Sequence, residues 1–140
     1  MRVLIDTNVA LTFVSGREDR FAAESVEIMR MCAEDRIEGM IAIHSLSTIW
    51  YALRQLPEQT RRDWIKQLCT VLTISGADNA AVLQAIDNTE FRDFEDALQD
   101  CCAACGAADY IVTANIRDYQ GHSSVRAVAP DELIAMISRE

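Results

Sequence analysis

Residues 2–5 read Arg-Val-Leu-Ile and stop at Asp6, an apolar run without polar alternation that gives way at once to the helically spaced Thr-Asn-Val-Ala-Leu-Thr-Phe. A strand apolar at successive positions is buried on both faces, the condition of a strand inside a parallel sheet. Thr7 or Asn8 can cap the following helix, so Asp6 falls at the strand's carboxyl end. The alternation then repeats. Residues 21–36 place Ala22, Val26, Met29 and Ala33 on one helical stripe closing near Gly39, and Met-Ile-Ala-Ile (40–43) reads as a second buried strand. Ser45 or Ser47 is placed to cap a helix carrying Ile49, Trp50 and Leu53 as far as Pro57. A helix over about 58–69 precedes a strand at Val-Leu-Thr-Ile (71–74), and 78–87 is helical again. A helix from about 93 to 105 leads through Gly106 to the strand Tyr-Ile-Val-Thr (110–113). Val-Arg-Ala-Val-Ala (125–129) then supplies a strand, and Pro130 opens a last helix. Strands alternating with helices predict an α/β protein: a three-layer α/β/α sandwich with a central, mainly parallel sheet, in one domain over residues 1–140. In such sheets ligands bind outside the carboxyl ends of the strands. Asp6, His44, Asn115 and Asp118 all fall there.

The net charge is −9, from 22 acidic and 13 basic residues, which excludes a protein that grips nucleic acid with a general basic surface. It does not exclude an enzyme whose carboxylates are gathered in one site and offset by a cation. No window approaches the ~18 apolar residues of a membrane span, and the amino terminus enters a strand rather than a signal-peptide pattern. A cytoplasmic protein with no membrane association is the expectation. Five cysteines, Cys32, Cys69, Cys101, Cys102 and Cys105, lie inside apolar patterns and are expected to be reduced packing residues. A zinc site would need a further soft ligand at suitable spacing, and the only histidines are His44 and His122.

Asp93, Glu95, Asp96 and Asp100 crowd the start of the helix near 93. Helical spacing expects Asp93, Asp96 and Asp100 on one face, with Ala97, Leu98, Cys101, Cys102 and Cys105 on an opposite, buried stripe. Acids in a first turn are favoured by the helix dipole, so this face can be a solvated helix start and nothing more. Asp6 points to a second role. A carboxylate ending a fully apolar strand is costly to leave unpaired, and no Lys or Arg lies beside it in the sequence. Mg²⁺ or Mn²⁺ shared with the other carboxylates would satisfy it, since hard cations prefer oxygen ligands. That donor set suits phosphoryl chemistry, in which the metal activates water and stabilises charge on a phosphate oxygen.

Four segments in order, VLIDTN, DFEDALQ, ADYIVTANIRDY and VRAVAPDEL, span nearly the whole chain, and together they resemble bacterial PIN-domain proteins of the VapC-type toxin group. The resemblance implies a Mg²⁺- or Mn²⁺-dependent ribonuclease acting on RNA, commonly the toxin of a toxin–antitoxin pair, held by a cognate antitoxin and often a homodimer. By position it makes Asp6 the first metal-binding acid and Asp96 the third. The last polar position falls on Asn115, with Asp118 near enough to substitute and Asp93 as an auxiliary ligand. Asp109 precedes its strand and is expected at the wrong end for coordination. The family's second acid falls on Thr48, which carries no charge.

His44 sits at the active edge, where a capping or structural role competes with contact to phosphate or water. His122 is expected in solvent. Trp50 and Tyr51 are read as packing residues, and Arg61, Arg62 and Lys66 as a solvated face. Two other functions remain: a PIN-like module that binds RNA or a protein without cutting, suggested by Thr48 and Asn115, and phosphorylation of Asp6. The second is disfavoured because DTN offers no neighbouring acid and Lys66 is the sole lysine.

Overall fold

The computed structural model describes all residues, Met1–Glu140. Five strands, β1 (Arg2–Ile5), β2 (Glu38–Ala42), β3 (Thr73–Ser75), β4 (Tyr110–Val112) and β5 (Arg126–Val128), form one sheet. Seven helices surround them: α1 (Thr7–Ser15), α2 (Ala22–Ala33), α3 (Ile43–Ala52), α4 (Glu58–Val71), α5 (Asn79–Asp87), α6 (Phe94–Cys105) and α7 (Pro130–Ser138). A 3₁₀ turn at Ile116–Asp118 follows β4. Every strand pair is parallel, in the order β3-β2-β1-β4-β5. No helix is long and apolar enough to cross a membrane.

Strand β1 is the middle of the sheet, and Val3, Leu4 and Ile5 are fully buried. Because successive side chains point to opposite faces, Val3 and Ile5 join one apolar cluster with residues of α1, α2, α3, α4 and α7. Leu4 joins another with Met40, Ile111, Ala97, Cys102 and Tyr119. These two cores on opposite faces are the three layers that an unbroken apolar β1 demands.

The chain winds from β1 outward to β2 and β3, then returns to the other side for β4 and β5. The connections leaving β1 and β4 therefore diverge, which opens a crevice at their carboxyl ends. Asp6 N donates to Val112 O at 2.9 Å and Thr113 N to Val128 O at 3.0 Å, fixing where the strands stop and the crevice begins.

Among the local expectations, the strand placed at 71–74 begins only at Thr73 because α4 runs on to Val71, Asp6 rather than Thr7 or Asn8 caps α1, and three more fail for reasons of packing. Helix α2 ends at Ala33, and Gly39 lies inside β2, where a Cβ would come within 2.5 Å of Cys32 Sγ and 2.5 Å of Leu72 Cδ2. That glycine permits close helix-to-strand approach. Val26 is exposed, because α2 packs through Ser25, Ile28, Met29, Met31 and Cys32 instead. Helix α3 starts at Ile43 directly after β2, so Ser45 is a buried residue within it and neither Ser45 nor Ser47 caps it.

Candidate active site

Asp6 leaves β1 in extended conformation and caps α1, its Oδ1 accepting the Thr7 N–H at 2.7 Å. It is 4% exposed. Its Oδ2 accepts from Thr113 Oγ1 at 2.8 Å, Tyr119 Oη at 3.1 Å and Asn8 Nδ2 at 3.2 Å. Burial raises its carboxyl above the ordinary range, and the Thr113, Thr7 and Tyr119 hydrogen bonds only partly oppose that. Asp6 therefore does not depend on a cation alone for its partners. Four uncharged donors meet it, two from the adjacent Thr7 and Asn8 and two from the distant Thr113 and Tyr119, and Oδ1, which accepts one bond, keeps a lone pair for a further partner.

Helix α6 supplies the second carboxylate. Asp93 is its N-cap, accepting the Glu95 N–H at 2.9 Å. Asp96, one turn in, is half-buried and accepts from Tyr119 Oη at 3.3 Å. The single phenolic hydrogen therefore lies between Asp6 and Asp96 and serves one of them at a time. Asp96 is pushed up to about 7 by burial first, then by the charges of Asp6, Asp93 and Asp118. Asp118, exposed on the turn after β4, thus belongs to the same field. Asn115 is the exposed residue that begins that turn, its N–H donating to Thr113 Oγ1 at 3.0 Å.

Asp100 does not join this face. It is 7% exposed and accepts from Ser124 N at 2.9 Å and Val125 N at 3.0 Å. Four residues beyond Asp96 it lies about 6 Å further along the helix, alongside the loop that leads into β5, and it serves that loop. Cys105 is also exposed rather than part of the buried stripe, whereas Cys102 packs in the core. Asp109 stands at the opposite edge, accepting from Arg2 N at 2.8 Å. His122 is half-buried against the edge of Phe91. Trp50 lies under Arg61, 4.1 Å from guanidinium carbon to ring centre, and Tyr51 is exposed beneath Arg54.

His44, half-buried in the first turn of α3, is held below its usual value by burial, with Glu95 partly opposing. Beside it, Thr7 Oγ1 and Ser45 Oγ are 2.8 Å apart, and both accept from Gln99 Nε2. Tyr119, Thr113, Asn8, Glu95 and Gln99 were not among the expected site residues. Tyr119 left a signal: a tyrosine hydroxyl buried next to a strand end needs a polar partner.

No three acidic, histidine or cysteine side chains converge tightly enough here to enclose an ion. The donor set nonetheless fits a hard divalent cation. Asp6 and Asp96 meet at one hydroxyl, Asp93 and Asp118 act on the same carboxylate, and none of the four forms an ion pair with a basic side chain. On the other side of the turn, Arg20, Arg117, Asn115 and Asp118 line a shared groove.

A family comparison matches residues 2–117 to the PIN domain. The chain belongs to the PIN-domain family. Among solved structures, DNA-bound VapBC from Salmonella typhimurium superposes with a TM-score of 0.70 at 15% identity, covering 93% of this chain and 98% of that one. VapBC2 from Rickettsia felis, bound to a promoter DNA fragment, gives 0.69 at 14% identity, with 92% and 98% covered. VapC20 of Mycobacterium tuberculosis, a Sarcin-Ricin loop cleaving toxin, gives 0.64 at 17% identity, with 89% and 98% covered. No curated protein matches by sequence. The PIN fold of this chain is therefore that of the VapC-type proteins.

Within that PIN site, Tyr119→Phe keeps the buried ring, packed edge-on to Phe91, and deletes only the shared hydroxyl. At pH 8 without metal it is expected to lower stability by about 1.5–3 kcal/mol, the range for a hydrogen bond to a charged group. Urea unfolding measures this, and an unchanged midpoint would remove Tyr119 from the site.

Proposed function

We propose that this PIN-domain protein is a divalent-metal-dependent endoribonuclease, the toxin of a toxin–antitoxin pair. The observation that carries the reading is the meeting of Asp6 and Asp96 on Tyr119 Oη, at the crevice between β1 and β4, with no basic side chain paired to either. Asp6 and Asp96 would hold the metal, with Asp93 and Asp118 adding charge. Bound there, Mg²⁺ or Mn²⁺ supplies a lowered pKa for the attacking water and stabilisation of the phosphate charge.

The protein's own groups do the rest. Thr113, Asn8 and the Thr7 N–H orient the Asp6 carboxylate. The Asn115 amide, exposed at the rim, orients a phosphate oxygen or water. Arg20 and Arg117 in the adjoining groove receive backbone phosphates next to the cleavage point, a local basic contact in an otherwise acidic protein. The VapBC structures pair toxin with antitoxin, which supports a cognate antitoxin here, and a homodimer in the cytoplasm completes the proposal.

The test is cleavage of a single-stranded RNA panel with Mg²⁺, Mn²⁺ or EDTA, alongside a binding assay. Cutting that depends on metal and on Asp6 is expected. RNA bound tightly but left intact with either metal would instead assign the non-cutting module, which Thr48 and Asn115 favour.

A further inference from the structure

An acid is expected on the helix after β2, and Thr48 stands at that position. In the fold Thr48 turns back on its own helix, Oγ1 donating to His44 O at 3.4 Å. A carboxylate from another element reaches the neighbourhood instead. Glu95 Oε1 accepts from Thr7 Oγ1 at 3.2 Å, and Thr7 is the residue whose N–H donates to Asp6. Strand β1 lies between β2 and β4. Asp6 at its end is flanked on the β4 side by Tyr119 and Asp96, and on the β2 side by the Thr7–Ser45 pair that meets Glu95.

The bonds that hold Glu95 run in one direction. Gln99 Nε2 donates to Thr7 Oγ1 at 2.9 Å and to Ser45 Oγ at 2.7 Å, which uses both amide hydrogens. An ionised Glu95 only accepts, so the Thr7 hydroxyl donates to it and the Ser45 hydroxyl donates to Thr7. Ser45 and Gln99 are fully buried, and Thr7 is 6% exposed. Gln99 Oε1 has no hydrogen-bond partner. Leaving a buried carbonyl unsatisfied costs roughly 1–3 kcal/mol, so a glutamine here is a poor packing choice. What it supplies is a pair of donors that turns the Ser45 hydroxyl toward Thr7 and the Thr7 hydroxyl toward Glu95.

We propose that Glu95 is a further carboxylate of the metal site, delivered from α6 in place of the acid absent at Thr48 and positioned by the Gln99–Ser45–Thr7 chain. The inference rests on the metal-site reading above. Glu95 carries the charge; Thr7, Ser45 and Gln99 are positioning residues.

Mn²⁺ alone is the probe, titrated by calorimetry into the wild-type protein, Asp6→Asn, Glu95→Gln and Thr7→Val, with melting temperatures in EDTA and in Mn²⁺. Glu95→Gln is expected to melt in EDTA at or slightly above the wild-type temperature and to bind Mn²⁺ at least about tenfold more weakly. Thr7→Val, which keeps every carboxylate but cuts the chain, is expected to weaken Mn²⁺ roughly tenfold. Wild-type affinity in both Glu95→Gln and Thr7→Val, with affinity lost in Asp6→Asn, overturns the role of Glu95 and leaves the metal site standing. Unaltered affinity in Asp6→Asn overturns the metal site itself.

Discussion

Asp6→Asn and Asp96→Asn are each expected to reduce metal-dependent RNA cleavage on the order of 10³-fold, a loss matching several kcal/mol of metal-derived transition-state stabilisation. Neither is expected to harm the fold. Asp6 is buried with its carboxyl raised, and Asp96 is raised by burial and by three neighbouring acids, so both are sites where a negative charge disfavours the native state. Asparagine keeps the shape and removes that charge. The hydroxyls of Thr113 and Tyr119, which now donate to Asp6, can rotate to accept from the new amide. Melting temperatures in EDTA should therefore hold or rise, while the stabilisation by added Mg²⁺, which arises from ion binding to the folded state alone, disappears. Higher stability with lost activity is the mark of a site strained for function. A variant that loses activity because it no longer folds, or one that keeps both cleavage and the Mg²⁺-induced rise, would contradict this account of the site.

What the sequence reveals about this site follows the reach of each interaction along the chain. Strand β1 was legible to the residue, because an apolar run closed by a carboxylate is a local pattern, and the end of that strand placed Asp6. The start of α6 was legible because an N-cap aspartate followed by acids is local too. The partners of those carboxylates were not. Tyr119 meets Asp6 across 113 positions and Gln99 meets Thr7 across 92, and no periodicity relates residues so far apart. Asp100 shows the converse failure. Its helical spacing from Asp93 is correct, yet the loop at Ser124 and Val125 packs over it and makes a residue expected on the open acidic face a loop anchor. Ser45 read as a helix cap, and only the fold shows it buried and accepting from Gln99, 54 positions away.

Without metal, the protein is expected to become more stable as pH falls from 8 toward 5, the reverse of a protein whose carboxylates sit in ion pairs. Asp96 rises from an ordinary 3.8 to about 7 in the fold, and Asp6 is raised as well. Between those limits the native state binds protons that the unfolded chain does not. The contribution is fully present below the unfolded value and is lost as pH rises through about 7. Groups with the opposite sign act elsewhere. Asp19, Glu27 and Glu58 are lowered by hydrogen bonds from Thr12, Arg30 and Arg62, and their stabilisation is lost only in more acidic solution, below the ordinary carboxylate range. His44, lowered by burial, opposes the trend, since the unfolded chain takes up its proton first near 6.5. One histidine working below 6.5 stands against Asp96, whose effect begins near 7, and Asp6, which is also raised, so a rise of a few degrees in melting temperature is expected on acidification to pH 5. With saturating Mn²⁺ the slope should reverse. The ion needs both carboxylates ionised, so below about pH 7 the proton on Asp96 weakens binding by up to about tenfold per pH unit, and the raised Asp6 adds to that in the same direction. Melting curves at pH 5, 6, 7 and 8, in EDTA and in Mn²⁺, check both slopes, and Asp96→Asn should flatten them together. Parallel slopes in the two solutions would mean that protons and metal do not compete for Asp96, and that the ion sits elsewhere.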